Sequence, residues 1–203
     1  MSACRPRRTS RRRLALFAAG AAAASLTLSA CGDGAASGGS AQTKFVQGKG
    51  GIATVPKADR QPAPDLSAPT TTGTKKLDVG DYKGKVVVLN VWGSYCGPCI
   101  AEAPNFAKVA QETKAKGVQF IGVNTRDEKA QAVNFEEQHK VPYPSLFDPT
   151  GKLLLRFPKG SLNPQAIPST IAIDRHGRIA ARSLGPLTAS DLRTMIDPLI
   201  AEK

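Results

Sequence analysis

The run Val86-Val87-Val88-Leu89-Asn90-Val91 leads within a few residues to Cys96-Gly97-Pro98-Cys99, and a segment of helical periodicity follows. An unbroken β-branched run is what a strand covered on both faces requires. Phe106, Val109, Ala110 and Thr113 then repeat at helical spacing, and Gly117 stops the pattern. The chain must therefore build a sheet with a fully buried strand, a helix packed against it, and two cysteines at their junction.

The rest of the pattern extends that unit. Residues 118–123 read as a second strand and residues 127–139 as a second helix. Residues 169–173 and 178–182 read as two strands joined by Asp174-Arg175-His176-Gly177, a turn with glycine where positive φ is tolerated. Thr188 and Asp191 have the spacing of a capping box. Leu192, Met195, Ile196, Leu199 and Ile200 form the apolar face of a last helix, which Pro198 is expected to kink or shorten. Strands alternating with helices predict an α/β fold, and the terminal hairpin makes its central sheet mixed. Residues 44–68 are less regular. Phe45-Val46 and residues 52–55 are apolar patches separated by glycines, and Pro56, Pro62, Pro64 and Pro69 follow, so a loose hairpin or a docked arm is expected there.

The first thirty residues read as an address. Arg5, Arg7, Arg8, Arg11, Arg12 and Arg13 precede an uncharged stretch of Ala and Leu over residues 14–30. That is the layout of an export signal. Ser10-Arg11-Arg12-Arg13-Leu14 resembles a twin-arginine signal and also fits an ordinary Sec signal. Leu28-Ser29-Ala30-Cys31 resembles a bacterial lipobox, which implies lipidation of Cys31, loss of residues 1–30, and a mature protein held on the outer face of the cytoplasmic membrane. Cys4 lies in the discarded segment. Residues 32–42, rich in Gly, Ser and Ala, read as a tether. The expected organisation is a signal peptide at 1–30, a tether and arm at 31–59, and one domain at 60–203. The formal charge of +12 owes much to the arginines before residue 14. The remaining basic residues are scattered without an aromatic-interleaved stripe, which argues against a nucleic-acid partner.

With Cys31 assigned to lipid, Cys96 and Cys99 are the one remaining pair. A zinc ribbon needs a second ligand pair, and the chain has none to offer. A c-type haem site needs His after the second cysteine, where Ile100 stands. A purely structural disulfide would close a very short loop and constrain little. A redox pair has a mechanism. Cys96 at a helix N-terminus faces unpaired N–H groups and the positive end of the dipole, which favour the thiolate. Pro98, near the first helical position, gives up an N–H that would be unpaired anyway. Cys96 is then the nucleophile and the deeper Cys99 the resolving thiol, with no further cofactor.

Residues 88–99 resemble the active-site segment of thioredoxin-fold proteins, and more closely that of the TlpA/ResA-like extracytoplasmic disulfide reductases with a redoxin-type domain. The resemblance covers about residues 60–200. It implies a thioredoxin-like fold with an N-terminal extension and a disulfide between Cys96 and Cys99. It also implies that Pro104 is a helix-kinking proline, that Pro168 in Ile167-Pro168-Ser169 is cis beside the cysteines, and that Glu102 carries the proton of Cys99. Thioredoxin has a buried Asp where Asn90 stands, and Asn cannot accept that proton. Around the client groove the resemblance places Tyr95, Gly97, Pro98, Ile167 and Pro168, with Trp92 packing beneath. It further implies protein disulfides as substrates, the oxidised CxxCH of apocytochrome c as one client, and electrons from a membrane thiol transporter of the CcdA type. A disulfide-forming oxidant of the same fold and a copper- or protein-binding module are the alternatives. The Gly-Pro dipeptide between the cysteines resembles that of reducing thioredoxins. Copper-binding relatives usually space their cysteines by three residues, and a peroxiredoxin motif would need Thr and Pro where Gly93 and Leu89 stand. His139 and His176 are read as surface residues.

Overall fold

A computed structural model describes residues 43–202; the signal, Cys31 and tether expectations lie outside them. In chain order the elements are β1 (Val46–Gln47), β2 (Ile52–Thr54), β3 (Ser67–Pro69), β4 (Lys76–Asp78), β5 (Val86–Trp92) and α1 (Gly97–Thr113). After these come β6 (Val118–Thr125), α2 (Lys129–Gln138), β7 (Ser145–Asp148), β8 (Ser169–Ile173), β9 (Ile179–Ser183) and α3 (Ala189–Ala201). Seven strands form one sheet in the order β1-β2-β9-β8-β5-β6-β7, and β3 and β4 form a separate pair.

The β-branched run is the centre of that sheet. β5 pairs parallel with β6 and antiparallel with β8, and all its residues are buried. Its alternation sorts them onto two faces. Val86 and Val88 pack with Phe106 and Val109 of α1 and with Leu192, Met195 and Ile196 of α3. Val87, Leu89 and Val91 face Leu66, Leu146, Leu154 and Phe157, so this second face is covered largely by arm and loop segments. The sheet is mixed because β6 and β7 run parallel to β5 while the β8–β9 hairpin returns antiparallel.

Residues 44–68 contain a hairpin of β1 and β2, and β2 adds to the sheet edge through β9. Arg60 then anchors the arm. Its guanidinium donates to Asp174 Oδ2 at 3.1 Å and reaches both oxygens of Glu202 at 2.6 and 2.7 Å. Asp174 also accepts from the backbone N–H groups of His176 and Arg178, which closes the β8–β9 turn. Gly177 there has φ of +77°.

Both helices that contain an interior proline run through it. α1 passes through Pro104 without a break. α3 also runs through Pro198 to Ala201, so the expected shortening does not occur. Pro198 lies in the last turn and removes one ladder bond, whereas Leu192, Met195, Ile196 and Leu199 are all buried. Burying such side chains contributes about 1.5–3 kcal/mol each, which outweighs the lost bond. The Thr188–Asp191 capping box is present.

Candidate active site

The site lies where β5 ends and α1 begins. Gly93 makes the turn, and a Cβ there would approach the Tyr95 ring within 2.7 Å. Cys96 N donates to the Gly93 carbonyl at 3.1 Å, and Cys96 becomes the N-cap of α1. Its Sγ accepts from the Cys99 N–H at 3.2 Å, the position in which a helix N-terminus stabilises a sulfur anion. Pro98 is the second helical residue. Cys96 and Cys99 form a disulfide. Cys96 is 7% exposed and Cys99 1%, so Cys99 is the deeper sulfur.

Three elements surround the pair. Trp92 is buried, stacks on Phe135 of α2 with ring centroids 4.3 Å apart, and donates from Nε1 to Ser145 Oγ at 3.3 Å. It supports the site from below and lies out of a client's reach. Tyr95 is 58% exposed, with its hydroxyl on the Thr125 carbonyl at 3.3 Å. Gly97 and Pro98 are exposed, Ile167 packs against the cluster that holds both cysteines, and the Ile167–Pro168 peptide bond is cis.

Glu102 is buried at 2% exposure although it belongs to the start of α1. Its Oε1 accepts from Asn90 Nδ2 at 2.8 Å and its Oε2 from the Leu187 N–H at 3.0 Å. Burial pushes its pKa up from 4.5 to about 7, and these two neutral donors only partly oppose the shift. Asn90, Cys99 and Tyr143 line one small cavity between β5 and α1. Burial, with the Glu102 and Glu136 carboxylates nearby, holds the Tyr143 phenol well above its ordinary value.

Sequence reasoning passed over several of these partners. Asp127 accepts four hydrogen bonds: from Ser94 N at 2.6 Å and Asn124 Nδ2 at 2.8 Å on Oδ2, and from Ser94 Oγ at 2.8 Å and Glu128 N at 2.9 Å on Oδ1. It ties the loop before Cys96 to the end of β6. Glu136 is buried on α2, accepts from Thr71 Oγ1 at 2.7 Å, and has its pKa raised by burial. The Asp127-Glu128 pair just after the second strand was the available signal for Asp127. Nothing local signals Leu187. His139 caps α2 half-buried with its ring 4.5 Å from Phe135, and His176 is exposed in the hairpin turn. Among the described residues no group of three or more His, Cys, Asp or Glu is placed to hold a metal ion.

A family model described as Redoxin matches residues 58–196. The chain belongs to the redoxin family. Thiol-disulfide oxidoreductase ResA of Bacillus subtilis is 30% identical over 139 residues, covering 67% of this chain and 74% of that protein. Thiol:disulfide interchange protein HelX of Rhodobacter capsulatus is 36% identical over 119 residues, 58% of this chain. That alignment spans 62% of HelX, less than two thirds of its length. The structure of a secreted thiol-disulfide isomerase from Corynebacterium glutamicum superposes with a TM-score of 0.71 at 29% identity, covering 78% of this redoxin chain and 98% of that one. The fold is thioredoxin-like. Among the described residues no helix is long and apolar enough to cross a membrane.

Proposed function

We propose that this redoxin-family protein is a thiol–disulfide oxidoreductase that reduces protein disulfides outside the cytoplasm. The observation that carries this reading is the Cys96–Cys99 disulfide at the α1 N-terminus, with Glu102 buried one helical turn further along α1. In the reduced enzyme the Cys96 thiolate attacks one sulfur of a client disulfide. The Cys96–client bond forms, and the other client sulfur leaves as a thiolate and takes up a proton. Ionised Glu102 then accepts the Cys99 proton. The Cys99 thiolate attacks Cys96 Sγ, the mixed disulfide breaks, and the second client sulfur leaves. Two electrons have passed to the client, and the enzyme holds the disulfide seen here. Pro168 and Ile167 wall the groove on one side of the pair and Tyr95 on the other.

Restoring the dithiol requires an outside donor. Resemblance supports a membrane thiol transporter of the CcdA type as that donor and the oxidised CxxCH of apocytochrome c as a client. Cys31 is the proposed lipid anchor, and intact-mass analysis of membrane-extracted protein tests it by the presence or absence of a diacylglyceryl group.

The direction of electron flow is tested by the equilibrium potential of Cys96–Cys99 in glutathione or dithiothreitol buffers. A value at or below about −250 mV supports the reductase, and one near about −120 mV makes the protein an oxidant. Tight stoichiometric Cu(I) binding by the reduced protein without insulin reduction would reject an enzyme altogether. The role of Glu102 is read from the rate at which Cys99 resolves a mixed disulfide on Cys96. That rate should rise with pH to a plateau above about 7 in the native protein, and Glu102→Gln should move the rise toward the thiol's own, higher pKa.

A further inference from the structure

Among the described residues five large hydrophobic side chains are exposed: Val46, Tyr95, Ile100, Leu155 and Leu184. Two of these bracket the nucleophile. Tyr95 immediately precedes Cys96, and the Ile100 N–H bonds the Cys96 carbonyl at 3.1 Å. Ile100 is 41% exposed in the first turns of α1. Both line a groove of about 400 Å³ whose far wall is α2, within the range of peptide and ligand sites.

The far wall has a definite chemistry. Gln131, Asn134 and Gln138 sit three and four residues apart, which puts their carboxamides on one helix face. All three are exposed. Each offers both donors and an acceptor, the complement of a peptide N–H and C=O. Asp127 closes one end, but its four acceptor positions are already filled by Ser94, Asn124 and Glu128, so it offers no free lone pair to a cation. The groove therefore combines apolar contact beside the thiol with carboxamides along one wall, next to the Phe135 and His139 rings. It suits an extended stretch of polypeptide with an apolar residue next to its cysteine.

Resting on the proposed oxidoreductase activity, we propose that the groove between Tyr95–Ile100 and α2 binds the client chain next to its reactive cysteine, with an apolar residue against Ile100 and Tyr95 and the backbone against the carboxamides. The client sulfur must lie over Cys96 Sγ during attack. The chain leaving it on the side of Tyr95 and Ile100 then runs into this groove. Recognition by polypeptide here would separate protein disulfides from small ones that react at Cys96 alone.

The test uses the full processed chain with two disulfide-cyclised synthetic peptides, differing by Leu or Asp beside the reactive Cys, and with 5,5′-dithiobis(2-nitrobenzoate) as the small disulfide. The native protein should reduce the Leu peptide with about fivefold higher kcat/KM than the Asp peptide. Asn134→Trp fills the groove from an exposed helix position and should lower the ratio of peptide to small-disulfide kcat/KM about tenfold, through KM. The triple change Gln131→Ala, Asn134→Ala, Gln138→Ala keeps the groove open and should lower that ratio about threefold, so a folding defect in the Trp variant does not decide the outcome. An unchanged ratio in the triple variant, or equal rates on the two peptides, would overturn the groove while leaving the oxidoreductase standing. A native protein that reduces the small disulfide but neither peptide would overturn both.

Discussion

Glu102 and Asp174 are both nearly sealed from water, at 2% and 3% exposure, yet their pKa values move in opposite directions. Burial pushes each upward. At Asp174 the bonds from Arg178, Arg60 and His176 outweigh burial and hold the carboxyl below its ordinary value. At Glu102 the partners are an amide side chain and a backbone N–H, neither of them charged, and burial prevails. The hairpin end of the molecule uses an acid held ionised well below neutral pH to fasten the arm and the segment after the last helix. The cysteine end keeps an acid whose charge is negotiable near neutral pH. The difference lies in the donors rather than in depth, and it separates a structural carboxylate from one suited to carry protons.

The most direct way to break this contrast is at Arg60, whose side chain is 6% exposed between Asp174 and Glu202. Arg60→Ala removes one of the two guanidinium partners of Asp174 and both bonds to Glu202, leaving Arg178 in place, and should lower unfolding free energy by about 1–3 kcal/mol in urea titrations. A loss under about 1 kcal/mol would show that water replaces the guanidinium and that the network is ornamental. The pH dependence follows from the depressed folded pKa. The Asp174 contribution is present above its unfolded value of 3.8 and is lost as pH falls through the lower folded one.

Glu102 has the opposite sign. Its folded pKa of about 7 lies above the unfolded 4.5, so the folded state binds the proton more tightly. The penalty is absent below the unfolded value and complete above the folded one, so native stability falls as pH rises through this window, by about 3 kcal/mol. Glu102→Gln removes the ionisation. Asn90 can rotate its amide to accept from the new Nε2, and Gln Oε1 can still receive the Leu187 N–H. The variant should therefore be more stable than the native protein at pH 8 and equal to it at pH 4. Parallel stability curves across that range would mean that Glu102 titrates normally.

Much of the frame that carries this contrast was readable in the sequence, because long elements announce themselves. The buried β5 run, the cysteines at the head of α1, the Asp174–Gly177 turn and the Thr188 cap all depend on neighbours within a few residues. The short strands β3, β4 and β7 did not show, since three or four residues leave no periodicity to read, and β1 and β2 showed only as two apolar patches that a loose hairpin could join. α2 is two residues shorter at its start than its pattern suggested, because Asp127 is occupied with Ser94 and Asn124. The site divides in the same way. The resemblance pointed to Glu102, three residues after Cys99, whereas its hydrogen-bond partners lie 12 and 85 residues away and depend on how β5 and the segment before α3 meet α1. Arg60 was invisible for the same reason, its partners being 114 and 142 residues distant.

Asn90 gives the smallest and sharpest test of what distinguishes the two acids. If neutral donors set the position of Glu102 between an ordinary acid and a fully desolvated one, removing one of them must move it further up. Asn90→Ala deletes the Nδ2–H that reaches Oε1 and leaves the Leu187 N–H in place. The ionised form loses more than the protonated form, because a bond to a charged acceptor is stronger than one to a neutral acid. The pH at which Cys99 resolution reaches half its plateau should then rise by about one unit, equivalent to about 1.4 kcal/mol. The thiol of Cys96, which titrates through its own helix N-terminus, should keep its alkylation profile. A profile for Cys99 that does not move, or that moves down as water enters the vacated space, would mean that solvent rather than the Asn90 amide balances burial at Glu102. The contrast with Asp174 would then rest on access to water instead of on the charge of the donors.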